Sequence, residues 1–407
     1  MSSAKFNFTD LINPVEESLF FAEYWETAPL HISRKDPNSY SSILSGTDID
    51  YIVSTACVLQ NSSVELLGEA MGTPGSLDAA SVYKAYQQGA SIRIRGAHRY
   101  WKPIWMLCRR LEQMFSFPVQ ANLYCTPASS HALNRHYDEH EVFVLQIAGC
   151  KHWRLFEAGV TLPLQHAPLL PFENLAGKEG YRRSPRIAEV VKQLEGSGPT
   201  HEITMETGDL LYLPRGVIHE AETSDELSVH LTIGVHVLTW ADLLMVALGQ
   251  TSNQDVRFRK SLPVGFANET VSGDSLKEQF NQLLDALSQQ ADLTAALEEI
   301  AGSFFRSEQS ISDGSIVNDG SAKEINGDTL MEHRPGLLCR LVLEGETAGL
   351  ASGNNVIWMP RFFEQALRFI AQTTEFKVSE IPGGMSGKSK VTLVKRLVQE
   401  GFLRVAR

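Results

Sequence analysis

Between residues 118 and 235 the chain keeps to a hydrophobic period of two. The runs PVQANLYCTP, EVFVLQIAG, KHWRLFE, HEITM, DLLYLPRG and LSVHLTIGV are short and are parted by Gly and Pro turn signals. Many short strands of this kind predict an antiparallel barrel or sandwich. On either side the period changes. Residues 15–115 read as mainly helical with short strands: an aromatic-rich helix in LFFAEYWETAPLHI stops at Pro29, Leu30–Ile32 starts a strand, Ser91–Arg95 alternates, and WKPIWMLCRRLEQMF has helical spacing. Helical period returns from Trp240, clearest in LKEQFNQLLDALSQQADLTAALEEIAGSFF. Later, GLLCRLVLE and NNVIWMP read as strands, PRFFEQALRFIAQ as a helix, and the chain closes with a helix ending near Gly401 and a short strand. A length of 407 residues exceeds one ordinary core, so two or three domains are expected.

Two segments break this order. Residues 157–200 are first proline-rich (TLPLQHAPLLP), then basic (YRRSPR), then helical (RIAEVVKQLEG). So long an insertion between barrel strands predicts a functional lid. The stretch SEQSISDGSIVNDGSAKEINGD is rich in Ser, Gly, Asp and Asn and reads as a mobile connector.

Composition narrows the function classes. Hydrophobic content of 43% and charge of 21% describe a soluble globular chain, and a net charge of -12 weighs against bulk attraction to nucleic acid or acidic membrane. No apolar run approaches the roughly 18–20 residues of a membrane span. The start, MSSAKFNFTDLINPVEE, lacks a basic-then-apolar signal pattern. Cys57, Cys108, Cys125, Cys150 and Cys339 are scattered and form no CxxC pair, which excludes a disulfide framework or a cysteine zinc site of ordinary spacing. A reducing, cytoplasmic setting is expected.

The chemistry concentrates in HYD at 136–138. His and Asp are costly to bury unless something pairs with them, yet they abut the apolar run VFVLQI. On a strand, His136 and Asp138 would project from one face. A third ligand is on offer in GDLLYLPRGVIHEA, where two turns bracket Leu210–Leu213 and His219 follows. Two histidines and one carboxylate leave about three coordination positions open, a facial triad suited to non-haem Fe(II). His140 and Glu141 compete for a ligand role, but a strand would carry His140 roughly 13 Å from His136, which favours a supporting or surface position.

These stretches carry a resemblance. HYDEHEVFVLQIAGCKHWRLF followed by GDLLYLPRGVIHEA resembles the Jumonji-C branch of the cupin-type 2-oxoglutarate-dependent oxygenases, and more narrowly the ribosomal oxygenase group. FFAEYWETAPLHISR, ANLYCTPASSHALNRHYD and RFRKSLPVGF resemble further stretches of that group. The resemblance implies an α+β chain. Its parts would be a double-stranded β-helix (jelly-roll) catalytic domain with a helical N-terminal flank over 1–240, a helical dimerisation region over 241–306, a connector over 307–328 and a winged-helix-like domain over 329–407.

By position the resemblance implies that His136, Asp138 and His219 hold Fe(II), and that Lys151 binds the distal carboxylate of 2-oxoglutarate. Lys151 opens a strand and shares a face with Trp153, where an ammonium can meet a buried carboxylate. Asn122, Tyr124, His230 and Thr232 match polar positions lining the same pocket. Where the group is expected to have a small hydroxyl residue, this chain has Gly234. The implied reaction uses dioxygen and 2-oxoglutarate to hydroxylate a His or Arg side chain of a protein, a ribosomal protein among the candidates. A natural-product precursor peptide is an alternative substrate, and a non-catalytic cupin binding module an alternative class. A homodimer is implied. Nucleic acid is not expected as a partner, since the cations Lys388, Lys390, Lys395, Arg396, Arg404 and Arg407 read as a solvated helix face.

Overall fold

The computed structural model describes residues 6–59, 63–68, 78–130, 133–158, 160–164, 198–266, 273–307, 324–353 and 355–406. They divide into two compact units, parted between Val237 and Leu238. Most of the 157–200 insertion and of the 307–328 connector lies outside the described residues.

Among the described residues the first unit has ten strands: β1 (Leu30–Ile32), β2 (Val64–Leu67), β3 (Ser91–Ile94), β4 (Val119–Thr126), β5 (Glu141–Gly149), β6 (Lys151–Ala158), β7 (His201–Met205), β8 (Leu210–Leu213), β9 (Val217–Glu222) and β10 (Ser228–Val235). Seven form one antiparallel sheet in the order β1-β8-β5-β10-β4-β3-β2, and the rest form a second, β7-β6-β9. Alternation along β5 explains how the two are joined. Val142 and Val144 point into a core shared with Trp153, Leu155, Met205, Leu211, Leu213 and Val217, which closes one sheet over the other. Phe143, Leu145 and Ile147 point the opposite way, into a larger core with the N-terminal helices. With both faces covered, β5 reads as a continuous apolar run rather than a clean alternation. The flank includes the helix Lys102–Phe115, and Trp25 stacks parallel on Phe115 at 5.0 Å and on Tyr212 of β8 at 6.2 Å.

The second unit starts with helices Trp240–Gln254, Gly273–Gln290 and Leu293–Ser307. The long helical run is broken at Asp292, whose Oδ1 accepts from the Ala295 N–H at 3.0 Å and caps the last helix. Strands β11 (Leu330–His333), β12 (Arg340–Glu344), β13 (Thr347–Ser352), β14 (Asn355–Pro360), β15 (Glu375–Lys377) and β16 (Leu403–Val405) form two three-stranded sheets, β15-β11-β16 and β12-β13-β14. They share a core with helices Glu364–Gln372 and Gly387–Gln399 through Met331, Leu350, Ile370, Phe376 and Leu397.

Candidate metal centre

Contrary to the expectation from the alternating pattern, His136 and Asp138 do not share a strand face. They lie in the irregular segment leading into β5, and only His136 pairs, in an isolated bridge to His219 of β9. The His136 N–H donates to the His219 carbonyl at 3.1 Å, and the His219 N–H returns the bond at 2.8 Å. Pairing stops there because Gly216, at φ +88°, turns its own N–H onto the Asp138 carbonyl at 2.9 Å. A side chain at 216 would put its Cβ 1.9 Å from the Val160 carbonyl oxygen, so glycine is required on both counts. Three backbone bonds thus fasten the HYD segment to β9, which carries His219, and to the turn before it.

The ligand atoms of His136, Asp138 and His219 all lie within 4.8 Å of one another. Each imidazole turns Nδ1 to a backbone carbonyl, His136 to Asn134 at 2.7 Å and His219 to Val217 at 3.0 Å. A carbonyl can only accept, so the proton sits on Nδ1 and the Nε2 lone pair of each ring remains for a cation. His219 Nε2 lies 3.7 Å from Asp138 Oδ2. Burial, with the neighbouring His136, pushes the His219 imidazole down to about 4 and keeps it neutral. Burial works against the Asp138 carboxylate, but His140, His219, His136 and Arg93 together hold it below the usual range. The donor set of two neutral imidazoles and one anion fits a divalent first-row metal.

Behind the triad the barrel buries a lysine. Lys151, 1% exposed, donates from Nζ to Thr126 Oγ1 at 3.1 Å and finds no carboxylate among the described residues. Desolvation drives its pKa down to about 7. A buried ammonium without a counter-charge is expensive, and an incoming carboxylate would supply one. Tyr124 of β4 and His230 of β10 face each other across the strands and stack at 4.8 Å. The Trp153 ring touches His230 and His219, each at 5.8 Å between centroids. His230 Nδ1 and Trp153 Nε1 are buried without a hydrogen-bond partner, which marks a polar lining open to a ligand. Thr232 follows His230 on the same face, opposite Asn122. Asn122 Oδ1 is already engaged, accepting from the Gly96 N–H at 3.0 Å.

Residues 97–243 match the JmjC domain. The chain is 32% identical over 272 residues to Ribosomal oxygenase 2 of Mus musculus, covering 63% of this chain and 54% of that protein. It is 30% identical over 318 residues to the bifunctional lysine-specific demethylase and histidyl-hydroxylase NO66 of Aedes aegypti, covering 73% of this chain and 47% of the other. The chain thus spans about half the length of the curated relatives it matches. Among solved structures, the Escherichia coli ribosomal oxygenase YcfD, in complex with cobalt and 2-oxoglutarate, superposes with a TM-score of 0.56 at 14% identity, over 97% of this chain and 99% of that one. That likeness shows the cupin-type fold.

Much of the polar signature of residues 97–243 supports rather than reacts. Glu141, a candidate ligand by sequence, is fully buried and accepts from Tyr212 Oη at 2.5 Å and from Arg215 at 2.7 Å. Arg215 also pairs with Glu26, and Tyr212 Oη accepts from the Glu26 N–H at 3.0 Å. The network ties β5 and β8 to the N-terminal flank. Asp209 accepts from the N–H groups of Arg34 at 3.1 Å and Glu206 at 3.0 Å. Gly208 adopts φ +100° against the Asp36 carbonyl, which a Cβ would approach to 2.1 Å. Sequence reasoning read Asp209 and Arg215 only as turn residues and gave no role to Tyr212; charge and polarity in and beside an apolar strand were the available signal. His140, expected in a supporting or surface position, lies 4.0 Å from Asp138 through Nε2.

Proposed function

We propose that the JmjC domain is the catalytic core of an Fe(II)- and 2-oxoglutarate-dependent oxygenase that hydroxylates an amino-acid side chain of a protein. The observation that carries this is the pairing of a metal-competent triad with the buried, uncompensated Lys151 in one barrel. His136, Asp138 and His219 would hold the metal, and Lys151 with Thr126 would receive the distal carboxylate of the cosubstrate. When bound, iron with 2-oxoglutarate and dioxygen supplies the oxidation: one oxygen atom enters a substrate C–H bond, the other enters succinate, and CO2 leaves. The chain's own part is placement and exclusion of water. Lys151 fixes the far end of the cosubstrate. Val142, Val144, Trp153 and Leu155 keep the interior apolar. Tyr124 and His230 hold the wall between.

The target is a protein side chain, with a ribosomal protein the first candidate in light of the relatives' names, and histidine favoured over arginine. A guanidinium is always charged and, when buried, needs a carboxylate. The carboxylates around the triad are already matched: Glu65 by Arg93 and Arg95, Glu141 by Arg215, and Glu220 by Arg135 and Arg154. Arg93 adds positive charge beside Asp138. A neutral imidazole meets no such obstacle.

The remaining parts follow the same reading. Trp240, Leu244 and Leu248 are four residues apart along one helix and exposed, as are Val264 and Phe266. Their stripe supports a homodimer contact in the helical region 241–306. The sheets and helices after residue 329 are assigned as a winged-helix-like domain. Nucleic acid is not assigned as a partner, because Lys390 donates to the Ser379 carbonyl at 2.8 Å and Arg404 pairs with Glu332 at 2.7 Å. A cytoplasmic setting fits the scattered free cysteines.

The test is incubation with Fe(II), 2-oxoglutarate and extracted ribosomal proteins, read by mass spectrometry. A gain of one oxygen atom on a histidine is the expected result. The same gain confined to arginine would overturn the histidine assignment.

A further inference from the structure

Strand β5 pairs regularly with β10 from Glu141 to Gln146, which stands opposite His230. There the register slips: Val229 pairs with Ala148, and Ile147 is passed over. One extra residue on one strand of an antiparallel pair is a β-bulge. Ile147 and Ala148 both pack toward the larger core, so the alternation of β5 is interrupted at this point. On its other edge β10 runs against β4 without a break, His230 opposite Tyr124 and Ser228 opposite Thr126. The slip therefore belongs to the end of β5 that leads, through Gly149 and Cys150, to Lys151.

Gln146 sits at the slip and is fully buried. Its Nε2 donates to the Ala148 carbonyl at 2.9 Å, the Gly149 carbonyl at 3.3 Å and Ser228 Oγ at 2.9 Å. Carbonyls only accept, which fixes the amide with Nε2 on this side. The main chain is held as well: the Gln146 N–H donates to the Asp209 carbonyl at 3.1 Å, and its carbonyl accepts from the Gly208 N–H at 2.8 Å. The turn beyond is tight. Gly149 takes φ +67°, where a Cβ would lie 1.8 Å from the Leu227 carbonyl oxygen. The Cys150 N–H donates to that same carbonyl at 3.3 Å, and Thr207 Oγ1 donates to the Gly149 carbonyl at 3.3 Å.

We infer that Gln146 is a positioning residue for Lys151: its amide closes the bulge and holds the Gly149 turn, so that β6 starts with the Lys151 side chain directed at Thr126. The residues that share its face of β5, Val142 and Val144, are apolar. An amide in that row is costly to bury, and here it is matched by the two carbonyls at the slip. Its third acceptor, Ser228, stands opposite Thr126, whose Oγ1 receives Lys151 Nζ at 3.1 Å. The amide thus touches both approaches to the lysine, the turn before it and the strand position facing its partner. A shift of Gly149 reaches Lys151 only two residues later. The inference rests on the reading of Lys151 as receptor of the distal carboxylate of 2-oxoglutarate.

The experiment titrates the full chain, loaded with Co(II), with 2-oxoglutarate and separately with pyruvate, which carries the same 2-oxo acid but no distal carboxylate. The ratio of the two affinities reads the contact with Lys151 alone. Gln146→Met, of similar volume but without the donor, should lower the preference for 2-oxoglutarate by about tenfold, the low end of what a hydrogen bond to a charged group is worth. Its affinity for pyruvate should stay at the wild-type value. Lys151→Gln should lose the preference, and the double variant should be no worse, because Gln146 acts through Lys151. If Gln146→Met does not fold, Gln146→Asn, which shortens the reach of the amide by one methylene, decides by the same ratio. An intact preference in the folded variant overturns the inference. So do equal losses for both acids, which would mean a general loosening of the barrel, and a double variant that falls below Lys151→Gln. A wild-type chain that binds the two acids alike, or a Lys151→Gln variant that keeps the preference, refutes instead the cosubstrate reading of Lys151.

Discussion

Lys151 is the residue whose chemistry is most exposed to test by pH. Burial lowers its ammonium to about 7, so in the empty pocket it loses its proton as pH rises above that value. A bound carboxylate favours the charged form and raises the pKa again. Affinity for 2-oxoglutarate should therefore be flat below pH 7 and weaken by about tenfold per unit above it, toward the pKa of the complex. Calorimetric titration across pH 6–9 checks this, and Lys151→Gln should bind weakly with no such slope. A wild-type affinity independent of pH would contradict it. At this scale the sequence was informative about residue type and less so about place. The clustering of His136, Asp138 and His219 was legible because that spacing beside apolar strands offers three ligand atoms to one point. Their geometry was not, since a period of two placed HYD on a strand, whereas Gly216 diverts the backbone after a single bridged residue. The same strand assumption set His140 roughly 13 Å from His136, whereas the irregular segment brings its Nε2 to 4.0 Å from Asp138.

Among elements, the connection from β8 through the Pro214-Arg215-Gly216 turn to β9 bears most of the positioning. It holds His219, turns Gly216 toward Asp138, and sends Arg215 into the buried pair with Glu141. Removing one partner of such a pair leaves a charge in the core, at a cost of about 3–5 kcal/mol. Arg215→Met should therefore destabilise the protein by about that amount in urea unfolding. Glu141→Gln combined with Arg215→Met should recover a substantial part, since the stranded charge is gone. Equal losses in the single and double variants would mean that packing, not charge, is at issue. The strands and turns of this connection could be read from Gly, Pro and the apolar run. The role of Arg215 could not, because its partners Glu141 and Glu26 lie 74 and 189 residues away in the chain.

On the scale of the whole molecule, the exposed stripe of Trp240, Leu244 and Leu248 predicts self-association. Light scattering should give twice the 45.1 kDa chain mass, and Trp240→Glu with Leu244→Glu should reduce it to one. A wild-type mass near one chain would contradict the dimer. The barrel and the helical return after Trp240 were legible because period two and helical spacing differ over long windows. The break at Asp292 was not, since a capping aspartate inside an amphipathic run leaves the apolar stripe intact. The central claim, that this barrel couples a metal triad to a buried carboxylate receptor, is tested most directly by succinate release. Wild-type protein and His219→Ala would be compared with Fe(II), 2-oxoglutarate and dioxygen, in the presence and absence of ribosomal proteins. The account predicts iron-dependent succinate from the wild type, raised by those proteins, and none above background from His219→Ala. Succinate release that His219→Ala leaves unchanged, or its complete absence from an iron-loaded wild type, would contradict it.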